Sequence, residues 1–542
     1  MKNKNGFTLV ELLAVIVILA VIALIATPQV LGMIESARKG SAESSALSYV
    51  DSVEKAIVSK AITSSRNTNY DGNYTLNGNK LSKNDASLEL DLKGDKPDSN
   101  APNEVTVEKG IVKEAYLKFG EYYVTYKNNN NKISYCSNKE EYVSDCKTNE
   151  IKNLTYKEAI LNGADPELYE GLIPIEISET GTIKYADPQT EWYKYADKKW
   201  ANAVLVSNPT NYKVGDTISE NDILMYYVWI PRYRYQLFNV DNSSISPFQI
   251  KIEFENKAKT KTNGTKNGDW LTHPAFTFGT TELNGFWVGK FETSGTTTAL
   301  RIKPGVTSLR NINVSTMFNA SRNVDLSYSS EFNINSKEVD THMMKNMEWG
   351  AMAYLSHTQY GTCTNNTCSE IVYNSNSGYY TGGSSSKTAW ATSSYTSEST
   401  TKNRYGIYDT SGGAWENVMG NMTSSTTVAT KENFYNSSAG FSSVPEDKYI
   451  DYYTYNASDT GYLDHKRGKL GDATKETLAT FGNSIGGWYA DHASFLTANY
   501  SWFIRGGSYV DGTSNSGIFA FGYGPGAAGD VLSFRIVLSS EW

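Results

Sequence analysis

The sequence has 542 residues, too many for one ordinary domain and enough for two or three. Lys and Arg total 50 against 58 Asp and Glu, a net charge of −8 with both signs mixed along the chain. No stretch reads as a nucleic-acid surface, so no nucleic-acid partner is expected.

Met1-Lys2-Asn3-Lys4-Asn5-Gly6 is a short basic leader. The run from Phe7 to Ala26 that follows it is apolar except for Thr8 and Glu11. As a helix those 20 residues span about 30 Å, one bilayer. A secretory signal peptide would place a small-residue cleavage site after its apolar core, whereas here Pro28 follows Ala26-Thr27. A carboxylate at membrane depth is costly, so Glu11 reads as functional. Lys2 and Lys4 mark the cytoplasmic side and put everything after Pro28 outside.

The block Gly6-Phe7-Thr8-Leu9-Val10-Glu11-Leu12-Leu13 resembles the processing site of type IV prepilins. The resemblance implies cleavage after Gly6, methylation of the new amine on Phe7, and assembly guided by Glu11. Pro28 falls where pilins often carry a helix-kinking proline. The physical reading agrees: the Phe7 ammonium, buried in an apolar filament core, needs the Glu11 carboxylate of a neighbouring subunit. The implied partners are other pilin subunits, a prepilin peptidase and methylase, and the cytoplasmic membrane as a single-pass anchor before assembly. The implied destination is an extracellular pilus at the cell surface.

The first helix is predicted to cover 7–60, because Leu47, Val50, Val53 and Ile57 recur at three-to-four spacing and would pack on a globular head. Gly32 and Gly40 interrupt it. Residues 61–104, rich in Asn, Asp, Ser and Gly, read as a long surface connection. Gly110–Phe119, Glu121–Lys127 and Lys132–Cys136 read as strands, with Asn128–Asn131 as a hairpin turn. This gives a pilin head over 61–150 that closes near Cys146. The four cysteines form two close pairs, Cys136/Cys146 and Cys363/Cys368, most simply two local disulfides in an oxidising space. Zinc is the rival reading. Neither spacing is C-x-x-C, however, and no histidine flanks either pair.

All eleven tryptophans lie at or after Trp192, so a boundary is expected between about 150 and 190, with 151–190 as linker or start of a second body. That body is aromatic-rich and broken by turns, with one predicted helix over Met343–His357. Ser/Thr/Gly/Asn segments at 374–401 and 421–444 read as long loops, and no internal repeat is found.

Several phrases follow one another in order: Val228-Trp229-Ile230-Pro231-Arg232, Gly285-Phe286-Trp287-Val288-Gly289-Lys290-Phe291-Glu292, Asn346-Met347-Glu348-Trp349, Gly406-Ile407-Tyr408-Asp409, Gly413-Ala414-Trp415-Glu416-Asn417, Arg505-Gly506-Gly507-Ser508 and Phe534-Arg535-Ile536-Val537. Over roughly 170–542 they resemble the formylglycine-generating-enzyme superfamily, an irregular fold of the C-type-lectin kind. On physical grounds Trp287 and Trp415 read as core rings, and Arg505, Arg535 and Glu416 as internal ion pairs or hydrogen-bond anchors. Enzymes of that superfamily use a cysteine pair between the Gly-Gly-Ser and final Phe-Arg strands, and this chain has no cysteine from Gly506 to Arg535. The oxidase activity is not carried over, and no enzyme is expected. His273, His342, His357, His465 and His492 are scattered, with no nucleophile or carboxylate cluster beside them in sequence, so each reads as core or surface.

A second branch of the same fold fits better, the variable proteins of diversity-generating retroelements. The window Ser508–Ser533 holds no Lys, Glu, Gln, Met or Trp, the residues that no codon ending in C can encode. A framework of Gly517-x-Phe519-x-Phe521, Gly526-Ala527-Ala528 and Ser533-Phe534-Arg535 brackets short mixed blocks. Ligand-contact candidates are Tyr509, Val510, Asp511, Thr513, Asn515, Tyr523, Asp530 and Val531, the aromatics giving contact area at low entropy cost. The alternative is a plain Gly-rich loop region. A lectin-like fold admits calcium, but no loop shows a D-x-D-x-D series, so no cofactor or metal is assigned.

The expected fold class is therefore α+β: a long pilin helix, a small antiparallel sheet head, and a large C-type-lectin-like body. The expected function is a surface-displayed minor pilin binding an extracellular protein or glycan. A pilus-anchored enzyme of the formylglycine-generating type and a structural pseudopilin of a secretion or DNA-uptake machine are the alternatives.

Overall fold

The computed structural model describes residues between Arg38 and Ser540, apart from short gaps and the segments 61–69, 137–150, 153–164, 238–248, 424–436, 455–466 and 475–486. Gly6, Phe7, Glu11, Cys146, His465, the apolar run 7–26 and the Cys136 side chain lie outside the described residues. The chain divides into two compact units, Met1–Tyr156 and Lys157–Trp542.

In the first unit, helix α1 (residues 44–60) buries Ala46, Tyr49, Val50, Val53 and Ile57, a three-to-four spaced stripe, with Leu47 half-buried at its edge. Its partner is a sheet of β1 (Gly72–Asn77), β2 (Lys80–Lys83), β3 (Ala86–Glu89), β4 (Glu104–Glu108), β5 (Ile111–Phe119), β6 (Tyr122–Lys127), β7 (Lys132–Cys136) and β8 (Ile151–Lys152). The order is β3-β2-β1-β4-β5-β6-β7-β8, antiparallel throughout. Helix and sheet share one apolar core, and Glu54 Oε1 accepts the Val112 amide at 3.0 Å, tying one to the other.

The predicted surface connection over 61–104 is a correction. It holds β1, β2 and β3 and opens β4. Tyr74, Leu81, Leu88 and Leu90 are buried there. A few large apolar side chains at every second position suffice for a half-buried strand, even in a stretch dominated by polar residues.

In the second unit, β9 (Leu172–Ile177), β10 (Ile183–Tyr185), β11 (Asn202–Val206), β12 (Thr217–Ile218), β13 (Ile223–Pro231), β14 (Gly285–Gly289) and β15 (Val339–Met343) join the terminal strand Ile536–Ser540. They form one antiparallel sheet ordered β12-β10-β9-β11-β13-β14-terminal strand-β15. Strand β13 is buried at every position, so its sequence runs apolar without alternation. A Cβ on Gly285 would meet Ile230 O at 2.4 Å and the Trp229 ring at 2.5 Å; its absence lets Trp229 pack on Trp287.

Helix α2 (Val314–Arg322) is capped by Asn313, whose Oδ1 accepts the Thr316 amide at 3.0 Å. The predicted helix over Met343–His357 occurs as α3 (Asn346–Ser356), buried on all sides, with Met343 ending β15. Glu348 Oε2 accepts the Lys345 amide at 2.8 Å at its start.

A second sheet contains β16 (Trp415–Thr423), β17 (Asp451–Thr454), β18 (Trp502–Gly506), β19 (Gly517–Gly524) and β20 (Leu532–Phe534). Its order is β17-β16-β18-β19, with β20 also beside β16; β16 runs parallel to β17 and β20 and antiparallel to β18. With many antiparallel strands and few helices, the described fold is mixed α+β.

Between the sheets' ends lies a buried polar centre. Arg535 Nε donates to Glu416 Oε2 at 3.0 Å, Nη2 donates to Glu416 Oε1 and, at 3.0 Å, to Tyr408 O, and Nη1 reaches Gly289 O at 2.6 Å. Asp409, in left-handed backbone, accepts the Gly382 amide at 2.8 Å and Asn374 Nδ2 at 2.9 Å; Glu292 Oε1 accepts the Ala414 amide at 2.8 Å. Burial raises Glu416 to about 7 against the opposing pull of Arg535, and burial also raises Asp409 and Glu292. The expected ion pair is thus present for Arg535 and Glu416. Arg505 instead lies fully buried against the faces of Trp349 and Phe521, with no hydrogen-bond partner among the described residues. Arg535→Met should destabilise the second unit by about 3–5 kcal/mol in chemical denaturation, since it leaves Glu416 buried and unpaired. A loss under about 1 kcal/mol would show that the pair is not structural.

Candidate functional site

Strands β18 and β19 pair antiparallel, from Trp502 opposite Gly524 to Gly506 opposite Gly517, with a register shift beside Arg505. The connecting loop, 507–516, carries most of the sequence-derived contact candidates and is held by its own polar groups. Asp511 Oδ2 accepts the Ser508 amide at 2.8 Å and the Ser508 hydroxyl at 2.6 Å. Asn515 Nδ2 donates to Asp511 O at 3.1 Å, and Ser516 Oγ to Ser508 O at 3.0 Å. Gly507, at φ +79°, lies so close to Ser516 that a Cβ would fall 2.4 Å from its Oγ. The loop is anchored outward by the Tyr509 amide on Gly413 O at 3.0 Å and by the His492 amide on Asn515 O at 3.2 Å.

What the loop leaves free is apolar and aromatic. Val510 is 62% exposed, Thr513 is exposed, and the half-buried Tyr509 ring stands edge-on to Tyr379 at 4.8 Å. The Arg310 guanidinium lies 3.6 Å over the Tyr379 ring and donates to Asp530 O. A second loop, 525–531, is fixed by the Val314 amide on Gly526 O, the Asn311 amide on Gly529 O and the Trp415 amide on Val531 O, at 3.0, 2.9 and 2.9 Å. Tyr509 and Asp530, from different loops, are thereby joined through Tyr379 and Arg310.

Tyr523 is the exception among the candidates. It lies opposite Phe503 in the ladder and packs on Tyr500 at 5.3 Å rather than on Tyr509. Asp511 and Asn515 belong to the loop, but their side chains bond within it. Sequence reasoning missed Tyr379, Arg310, His492 and Tyr500. The one signal for Tyr379 was an aromatic pair, Tyr379-Tyr380, inside a Ser/Asn/Gly-rich segment; its backbone is left-handed, at φ +52°. Arg310 gave no local signal.

The histidines also depart from their sequence reading. His342 is not isolated: its Nδ1 lies 2.8 Å from Asp340 Oδ1 and its Nε2 3.0 Å from Glu348 Oε1, all three fully buried. Burial opposes its charge, but the two carboxylates outweigh burial and raise its pKa. Asp340 lies two positions before His342 on β15 and Glu348 six after it in the first turn of α3, so the grouping is local in sequence. His492 stands edge-on to Trp415 at 5.6 Å, its pKa lowered by burial.

Behind loop 507–516 sits a pair of acids, Glu370 and Asp491. Asp491 is buried, and among the described residues no amide, hydroxyl or cation donates to either of its oxygens. A Cβ on Gly517 would fall 1.9 Å from Asp491 Oδ2, so glycine makes room for this carboxyl. Tyr489 and Ala490, just before it, both adopt left-handed backbone. Burial and then Glu370 raise Asp491 well above the carboxylate range, and burial pushes Glu370 up to about 7. Two such carboxyls hold a proton between them at neutral pH.

Residues 1–27 match the prokaryotic N-terminal methylation motif. The match supports a type IV pilin-like or pseudopilin protein, one that meets pilin subunits and a prepilin peptidase and passes from membrane anchorage to surface display. Comparison with curated proteins finds no match. No helix among the described residues is long and apolar enough to cross a membrane. The Cys363–Cys368 disulfide is formed.

The raised acids give the second unit a definite pH dependence. Their folded pKa values lie above those of the unfolded chain, so the stability they contribute is present at about pH 4 and lost as pH rises through about 7. Asp491→Asn should raise the melting temperature at pH 8 and shrink, without abolishing, its fall between pH 5 and pH 8. A variant less stable than the parent at pH 8 would refute the shared proton.

Proposed function

We propose that this chain is a minor pilin that displays, outside the cell, a C-type-lectin-like adhesin body binding an extracellular protein or glycan through loops 507–516 and 525–531. The carrying observation is the methylation motif at 1–27 on the same chain as two well-anchored loops, the first of which exposes Val510 and Thr513 beside the half-buried Tyr509 ring. Loop backbone held by internal hydrogen bonds, with exposed apolar and aromatic side chains, is the arrangement that binds at low entropic cost. The ordered sequence phrases and the missing codon class in Ser508–Ser533 support the lectin-like and diversified part of this reading. The binding role is not catalytic: the cysteines used by formylglycine-generating enzymes have no counterpart between Gly506 and Arg535.

Size supports a tip or sparsely inserted position. A body of 386 residues, 157 through 542, has a radius of gyration near ~21 Å and a diameter of about 50 Å. Packed helices approach to ~10 Å, so a filament of this subunit alone would crowd its bodies. A structural pseudopilin is the second reading, because the same motif at 1–27 serves it equally.

Two measurements test the proposal. Glu11→Val should leave cleavage after Gly6 intact yet largely exclude the protein from sheared filaments; normal incorporation removes the Phe7–Glu11 pairing. Val510→Asp with Tyr509→Ala should change the profile on an array of glycans and matrix proteins by about tenfold, roughly 1.4 kcal/mol, at unchanged melting temperature. An unaltered profile would favour the pseudopilin.

A further inference from the structure

One corner of the second unit gathers His357 and the Cys363–Cys368 pair. Helix α3 ends at Ser356, and His357 follows with its amide on Ala353 O and Tyr354 O. The chain folds back at once, the Cys363 amide donating to Thr358 O at 3.1 Å. Cys363-Thr364 and Thr367-Cys368 then form a small hairpin across Asn365 and Asn366, both in left-handed backbone, with Cys363 opposite Cys368. This return places a ring nitrogen of His357 and both sulfurs within 4.8 Å of one another. The sequence reading set zinc aside because no histidine flanked the cysteines; the fold supplies one.

His357 is 2% exposed and walled by Trp488, Phe519 and Tyr489 at 5.2, 5.3 and 5.8 Å. Its Nε2 has no hydrogen-bond partner among the described residues. A buried imidazole nitrogen left unpaired costs stability unless something occupies it. Neutral imidazole is the form that ligates a metal.

We propose that His357, Cys363 and Cys368 form, in the dithiol state, a binding site for a thiophilic divalent cation of the zinc class. The sulfurs are joined as a disulfide here, so the site opens only on reduction. A thiol reductant supplies two electrons and two protons, leaving two protein thiols and one reductant disulfide. The cation then displaces both thiol protons. Two thiolates, a neutral imidazole and a dication sum to zero charge, which suits so buried a corner. Lys198 Nζ, donating to Cys363 O at 3.0 Å, adds a positive charge that favours the thiolates. Three protein ligands with no carboxylate select zinc or cobalt over calcium or magnesium.

The test uses the full-length protein in detergent, with Cys136 and Cys146 replaced by Ser, reduced with a phosphine under argon, desalted and titrated with Co2+. We expect one Co2+ per chain, with sulfur-to-cobalt charge-transfer and tetrahedral d–d absorption that Zn2+ bleaches, and no band from the unreduced protein. His357→Phe keeps the ring packing and should weaken Co2+ by at least about tenfold. Both thiols free without a band, an undiminished band in His357→Phe, or a fold lost on reduction and not restored by cobalt each overturns the site.

Discussion

Arg535 faces Glu416 and Asp409 where neither carboxyl meets water, and the second unit is arranged around that meeting. Taking each ion out of water costs several kcal/mol, recovered only by good geometry and satisfied hydrogen bonds. Arg535 has both: two bonds to Glu416 and two to backbone carbonyls. Its partners lie far back in the sequence, 119 residues to Glu416 and 246 to Gly289. One side chain near the end of the chain therefore fixes β14, the turn carrying Tyr408 and Asp409, and the start of β16. The Ala414 amide on Glu292 belongs to that same cluster, and the Tyr509 amide hangs from the neighbouring Gly413 O. Loop 507–516 thus hangs from the segment just before the strand that the guanidinium holds. Such non-local closure is slow.

Within loop 507–516 the labour is divided. Ser508, Asp511, Asn515 and Ser516 spend their side chains holding the backbone, and Gly507 admits Ser516 at close range. Val510 and Thr513 contribute nothing to that frame and stand in water. A substitution at Val510 alters what the loop shows, whereas one at Asp511 removes the acceptor of two bonds and alters the loop itself. Positional freedom of this kind separates the residues that hold the loop from those it exposes.

Legibility followed sequence distance. Strands β5, β6 and β7 and helix α3 could be read because their apolar pattern is local and dense, and the α1 stripe because its spacing is regular. Strands β1 to β3 were hidden by composition: Leu81 and Leu88 are buried, but Asn, Ser and Lys surround them. Helix α2 was hidden by Ser, Thr and Asn, and its cap, Asn313, looked like loop. The Arg535–Glu416 pair was anticipated because both residues sat in ordered phrases. Arg310 over Tyr379 was not, since each lies in an unremarkable stretch and only the fold brings them together. His357 shows the intermediate case. It stands six positions before Cys363, near enough to suspect, yet its role needs the sharp return of the chain after α3.

The unit neutralises its buried acids in two different ways, and the difference bears on display. At the centre the positive charge is a guanidinium, which does not titrate in any accessible range. Behind the loop, between Glu370 and Asp491, it is a proton, which exchanges with the medium. Gly517 packs on Asp491, and the His492 amide holds Asn515, so this proton lies directly beneath one end of loop 507–516. A body outside the cell has no buffer of its own. The centre has a fixed positive charge beside Glu416, itself raised to about 7, while the acids beneath loop 507–516 are raised chiefly by burial. When that proton leaves, a second negative charge appears beside the buried Asp491. Gly517 and the left-handed Tyr489 and Ala490 are the backbone next to that charge.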